Sequence, residues 1–292
     1  MGNVTENRLQ KVILLIENDV RTKKEWISEC EIVNLAESLK QHNIIFEFKA
    51  EVQQEEIAQV QDGILYISDS GPVIRRLLQY GAGVLLLLHD GNRDGDFMGI
   101  QYAAEGLEGI DYDYLYHVYL RLTGQPWKIL ETSRFVVREI TVEDVPELYV
   151  IYAEPEVTLY TENLYDDIED ELAYTRDYIE KVYGFYGYGI WIIEDKKSGQ
   201  MIGRAGIEYK EGREGAEIGI VVAKPFWRQG VATEVLEAIF VYAKEELDIS
   251  SFFAMVEKEN ESSIALFEKM QFSHIEDEEK DGKIYAIYEK AV

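Results

Sequence analysis

The chain has a single cysteine, Cys30, among 292 residues, which excludes an internal disulfide and a cysteine-based metal cluster. Histidine is nearly as sparse: His42, His89, His117 and His274 are scattered, and none falls in a catalytic spacing. Long apolar runs are absent as well. The longest, Val84 to Leu88, is far too short to cross a bilayer, and the first residues carry no signal-peptide pattern, so a cytoplasmic protein without membrane partners is expected. Positive charge is scarce, with 29 basic against 56 acidic residues and a formal charge of −27. Nucleic-acid binding relies on phosphate neutralisation, so no nucleic-acid partner is expected. Such a balance suits cationic partners such as amines or basic peptides, or simply solubility.

What is present is enough apolar content, 47%, for sizeable cores, and a length that suits two domains. In the first part, Val12–Ile16, Ile44–Phe48, Ile64–Ile67 and Val84–Leu88 read as buried strands, with helix-like stretches near 24–40, 52–61 and 72–80. That alternation predicts a Rossmann-like three-layer α/β domain with a parallel sheet over residues 1–130. Gly124-Gln-Pro-Trp127 breaks the pattern before the boundary.

Within that domain, Ile67-Ser-Asp-Ser-Gly-Pro-Val73 resembles the late acidic motif of haloacid-dehalogenase-like phosphatases, in which an Asp after a strand helps to hold magnesium. Asp69 occupies that place. The corresponding nucleophile motif after the first strand is not matched by Ile16-Glu-Asn-Asp-Val20. Without a nucleophile and its acid the aspartyl route is closed, so a degenerate, non-catalytic domain is expected. It would bind a ligand, form a homodimer or support its neighbour. A magnesium-dependent phosphatase centred on Asp69 is the weaker alternative. Asp90-Gly-Asn-Arg-Asp-Gly-Asp96 fails the EF-hand spacing and reads as a solvated turn.

The second part holds the most informative segment, Glu217 to Thr233. Ile218, Ile220 and Val222 alternate with Glu217, Gly219 and Val221, which is strand periodicity, and Pro225 ends it. From Val231, apolar residues recur at Val235, Ile239 and Tyr242 on one helical face. Gly230 and Ala232 leave the first helical turn uncovered. Free amides and the helix dipole there suit a pyrophosphate. A second strand, Ser251–Val256, and a helix opened by Asn260 follow.

These features resemble the acyl-CoA site of the GNAT superfamily of N-acyltransferases, most closely its ribosomal-protein N-terminal acetyltransferase-like branch. The resemblance covers roughly residues 133–292, within a second domain placed at 131–292. It includes Arg134–Glu139 as a first strand, Thr141–Asp144 as a capping-box helix start and Met201–Ile207 as a third strand. Where the wider superfamily has Gln or Arg, this chain has Trp227, as that branch commonly does. The implied fold is α/β with a mixed, largely antiparallel sheet.

The resemblance implies acetyl-CoA as cofactor and direct transfer of acetyl to a primary amine, without metal. Backbone groups of Ile218, Ile220, Val221 and Val222 would pair with the pantetheine arm. Arg228 and the amides of Gln229, Gly230, Val231, Ala232 and Thr233 would hold the pyrophosphate. Asn260 would contact the cofactor near the thioester, or serve only as an N-cap. A lysine-like amine starts about 4–5 kcal/mol from its neutral form at pH 7, so a base is needed. Glu217 is the candidate base, with a purely structural carboxylate as the alternative. The position that carries a tyrosine acid in many members is Phe267 here, which stays a candidate cofactor contact and leaves Ser263 as candidate acid. That loss also opens a second reading, a non-catalytic acyl-CoA sensor. Tyr160, Trp191 and Arg204 are candidate acceptor contacts, and Thr161–Leu172 would shape specificity. The expected acceptor is an amine-bearing small molecule, a peptide or a protein N-terminus.

Overall fold

A computed structural model describes residues 8–16, 27–49 and 62–292. Contacts divide the chain into two compact units, Met1–Gln125 and Pro126–Val292. In the first, strands β1 (Lys11–Leu15), β2 (Ile45–Lys49), β3 (Ile64–Ser68), β4 (Gly83–Leu88) and β5 (Tyr102–Glu105) pair in the order β2-β1-β3-β4-β5. Every pairing is parallel. Apolar runs fit such strands because both faces are covered. Val12, Leu14, Leu65, Ile67, Leu85 and Leu87 pack with helices α1 (Glu29–Gln41) and α3 (Tyr112–Leu122). Ile13, Leu15, Tyr66, Val84 and Leu86 pack on the other face with α2 (Gly71–Gln79).

Ser28 starts α1 with a capping box: its Oγ accepts from Glu31 N at 3.1 Å, and its own N–H donates to Glu31 Oε2 at 2.7 Å. The helix expected over 52–61 lies outside the described residues, as do residues 17–20 of the dehalogenase-like comparison. Two elements were not foreseen. Strand β5 is a short edge strand without an apolar run. Helix α3 is rich in aromatic residues, which have middling helix propensity, and Asp111 fixes its start by accepting from Tyr114 N at 2.9 Å. The 90–96 segment is a turn organised by Asn92, whose Oδ1 accepts from His89 N at 2.8 Å and whose Nδ2 donates to Leu87 O and Asp69 O.

The second unit is an eight-stranded sheet in the order β12-β13-β11-β10-β9-β8-β7-β6. Its strands are β6 (Lys128–Glu131), β7 (Phe135–Arg138), β8 (Ile190–Asp195), β9 (Met201–Tyr209), β10 (Ala216–Val222), β11 (Ser251–Glu257), β12 (Ser273–Lys280) and β13 (Lys283–Ala291). Only β10 and β11 pair in parallel, so the sheet is mixed and largely antiparallel, as expected. Asp281 and Gly282 both have positive φ, 52° and 76°, which an Asp-Gly pair tolerates, and they close the β12–β13 hairpin.

Helix α4 (Val145–Tyr152) covers one face with Leu148, Ile151 and Tyr152 against Ile192 and Met201. Helix α5 (Ile168–Tyr178) runs on through a π-helical turn, Ile179–Tyr183. Helix α6 (Val231–Glu246) covers the opposite face, burying Val235, Leu236, Ile239 and Phe240 against Ala205, Ile207, Ile218 and Phe252. Helix α7 (Glu261–Lys269) follows β11. No helix among the described residues is long and apolar enough to cross a membrane.

The α4 face is anchored by a partly buried ion cluster. Arg138 on β7 donates to both oxygens of Asp144 at 2.7 and 2.8 Å and to Glu194 on β8 at 2.8 Å. Burial alone would lower the Arg138 pKa, but these carboxylates outweigh it and raise it. Arg138→Met should lower the stability of this unit by about 3–5 kcal/mol, because it strands a buried Asp144 carboxylate. Urea unfolding followed by tryptophan fluorescence reads this as a lower midpoint.

Candidate functional site

Strand β9 pairs with β10 along its whole length, Ala216 to Val222. On the other edge, β11 pairs only at Ala216–Phe252 and Glu217–Phe253. Beyond Glu217 the two parallel strands part, so the β10 edge from Ile218 onward is open. A cavity of about 680 Å³ occupies this split. Glu217, Ile218, Gly219, Ile220 and Val221 line one side, and Ala254, Val256, Asn260, Ser263 and Phe267 the other. Thr158–Asn163, Tyr174, Tyr178 and Arg204 complete the wall.

Past β10 the chain makes the expected turn into α6. Arg228 (φ 58°) and Gly230 (φ 77°) both sit in the left-handed region. For a non-glycine residue such as Arg228 this conformation is strained and must be held by its surroundings. Trp227 Nε1 donates to Val222 O at 2.6 Å and Gln229 Nε2 to Pro225 O at 2.7 Å. From β7's approach, Arg134 donates through Nη1 to Gln229 O at 2.9 Å and through Nε to Glu234 Oε2 at 2.7 Å. Burial acts to raise the Glu234 pKa, but hydrogen bonds from Thr132, Arg134 and Ser133 outweigh it and hold it at about 2. A depressed carboxylate stabilises the fold above its ordinary pKa, and here that contribution fades as pH falls toward 2. The clamp is therefore intact at neutral pH. The amides of Gln229, Gly230, Val231, Ala232 and Thr233 meet no acceptor among the described residues, and Gly230 provides no side-chain cap.

Asn260 is the N-cap of α7, accepting from Ser263 N at 3.1 Å, and lines the cavity at the same time. The Ser263 hydroxyl has no hydrogen bond among the described residues and lines the cavity. Phe267 is buried against Phe272, with ring centres 5.1 Å apart. Glu217 faces the cavity but is not alone: Lys210 Nζ lies 3.3 Å from its Oε2 and 4.0 Å from Glu208. Burial works to lower the Lys210 pKa, yet Glu217 and Glu208 outweigh it and keep it raised. Glu208 also accepts from the Tyr178 hydroxyl at 3.2 Å, which itself accepts from Ile190 N at 2.8 Å.

Lys210, Glu208 and Tyr178 were missed in the sequence. The available signal is the cross-strand pairing of Glu208 with Glu217, a like-charged neighbour pair that needs a cation nearby. Tyr160 and Arg204 line the cavity. Trp191 does not. It is fully buried and packs edge-on against Tyr242, 5.8 Å between ring centres. Strand alternation is the reason: Ile190 and Ile192 face the cavity, which turns Trp191 toward α6. Val222 and the turn from Arg228 to Thr233 likewise lie outside the cavity lining, on the helix-start side of the split.

The model of the acetyltransferase (GNAT) domain matches residues 134–273. The uncharacterized N-acetyltransferase YoaA of Bacillus subtilis (strain 168) is 31% identical over 147 residues, covering 49% of this chain and 82% of that one. The uncharacterized N-acetyltransferase p20 of Bacillus licheniformis is 30% identical over 169 residues, covering 56% and 88%. Among solved structures, the acetyltransferase from Agrobacterium tumefaciens str. C58 is 22% identical, with a TM-score of 0.47, covering 56% of this chain and 94% of that one. Through its second half, this chain belongs to the GNAT acetyltransferase family.

Proposed function

We propose that residues 126–292 form an acetyl-CoA-dependent N-acetyltransferase acting on a primary amine by direct attack. The observation that carries this reading is the split between β10 and β11, which opens beside a helix start whose amides have no partner. The open edge from Ile218 to Val222 suits the amide-bearing pantetheine arm. The amides of Gln229 to Thr233, with Arg228 beside them, suit the pyrophosphate. Acetyl-CoA, bound there, supplies the thioester carbonyl that the amine attacks.

Glu217 takes the proton from the attacking amine and passes it to solvent. Lys210, with its Nζ 3.3 Å from Oε2, orients the carboxylate. Ser263 is the donor toward the departing thiolate, with its hydroxyl unengaged and on the cavity wall. Asn260 is fixed by its own capping bond and presents its amide at the same wall. Phe267 in the usual tyrosine place favours one other reading, an acyl-CoA sensor that binds without turnover.

The first unit is, in our reading, a Rossmann-like, dehalogenase-like domain without catalysis. Asp69 there is largely buried, with His89 Nε2 3.6 Å from its carboxylate. The acceptor is an amine-bearing small molecule, a peptide or a protein N-terminus.

Gly230→Glu is a poor test of the pyrophosphate site, since the left-handed φ of 77° strains any side chain there. Ala232→Glu keeps a helical backbone, and its carboxylate is stabilising at a helix start. It should weaken acetyl-CoA binding at least about tenfold by calorimetry without lowering the melting temperature; unchanged affinity would place the pyrophosphate elsewhere. Glu217→Gln should lower kcat by about 10²–10⁴-fold with little change in that affinity, the range of general-base contributions. An undiminished rate would remove Glu217 as base. A Cβ at Gly219 would meet nothing within 4 Å, so Gly219→Leu should fold normally while its side chain enters the cavity. Steady-state assays should then show a large rise in the KM for the amine; wild-type kinetics would move the acceptor path away from this floor.

A further inference from the structure

Four cationic side chains line the cavity: Arg204, Lys210, Lys280 and Lys283. Lys210 is matched by Glu217 at 3.3 Å and Lys283 by Glu257 at 2.6 Å. Lys280 is exposed near the end of β12. Arg204 differs from all three. It is half-buried, and its guanidinium carbon sits 4.9 Å from the centre of the Tyr152 ring, a seat that fixes the group without neutralising it. No carboxylate lies within ion-pairing distance of it among the described residues. A buried carboxylate does line the same cavity, Glu171, but it accepts from Tyr165 N at 3.0 Å and makes no ion pair with Arg204.

A guanidinium held at a cavity wall without a counter-ion in ion-pairing range is a receptor for a planar or tetrahedral oxyanion. Its position relative to the chemistry is set by strand register. Arg204 on β9 is paired with Val221, two residues from Gly219, which is about 7 Å along the strand. An anionic group at Arg204 therefore lies within small-molecule reach of the open floor at Gly219.

We propose that Arg204 binds an anionic group of the acceptor, so that the acceptor is an amine that also carries a carboxylate or a phosphate. The proposal rests on the acceptor cavity assigned above and narrows its substrate class.

The test is a binding measurement on the full chain saturated with coenzyme A, which needs no turnover. The ligands are the protein amino acids, their carboxamides and phosphoethanolamine, titrated by calorimetry. At least one acid, or phosphoethanolamine, should bind about tenfold or more tightly than its neutral counterpart (the carboxamide, or ethanolamine for the phosphate). A carboxylate preference assigns an amino-acid-like acceptor, and a phosphate preference a phosphorylated amine. Arg204→Gln should erase the difference, Arg204→Lys should restore part of it, and both should keep coenzyme A affinity. Equal binding of acids and carboxamides, a preference that survives Arg204→Gln, or failure of every anionic ligand to bind overturns the proposal. If anionic amines bind through Arg204 but no acetyl product forms from acetyl-CoA, the transferase reading fails and this one stands.

Discussion

The second unit depends on where two parallel strands stop pairing. Ala216–Phe252 and Glu217–Phe253 hold β10 to β11, and after them the strands diverge. Unpaired backbone groups in an interior sheet are costly unless something else meets them. The divergence therefore creates both the cavity and a row of donors and acceptors suited to an extended, amide-bearing ligand. Helix α6 keeps the opening from collapsing, because Val235, Leu236 and Ile239 fill the face beneath it. The same divergence brings Asn260 and Ser263 opposite Gly219, although they stand some forty residues apart in sequence.

Charge is distributed unevenly over this frame. The chain as a whole is strongly acidic, yet the cavity holds matched and unmatched charges of both signs. Glu208 and Glu217 face one another across strands, and Lys210 relieves the repulsion while Tyr178 ties down Glu208. Net charge thus describes the solvation of the surface and says little about the site.

Much of this was legible in the sequence because local chemistry specified it. Alternation in Glu217–Val222, the break at Pro225 and the small residues at 230 and 232 all mark a strand, a turn and an uncovered helix start. Asp281-Gly282 specified its hairpin through the left-handed conformations those residues tolerate. What sequence could not supply depends on pairing between distant segments. Trp191 reads as a pocket aromatic until its strand parity relative to Ile190 and Ile192 is known. Lys210 becomes part of the site only through the register that sets Glu208 against Glu217. In the first unit, α3 was missed because its tyrosines carry no clear period, and its identity is decided by packing on the sheet.

The Arg134 clamp has a thermodynamic consequence for the turn at 228–230. Its bonds to Gln229 O and Glu234, together with those of Trp227 and Gln229 to the preceding backbone, fix a segment that would otherwise sample many conformers. The conformational entropy of that segment is lost during folding and not when a ligand arrives. An anion reaching the start of α6 meets amides already aimed, so a larger share of each contact formed there appears as affinity.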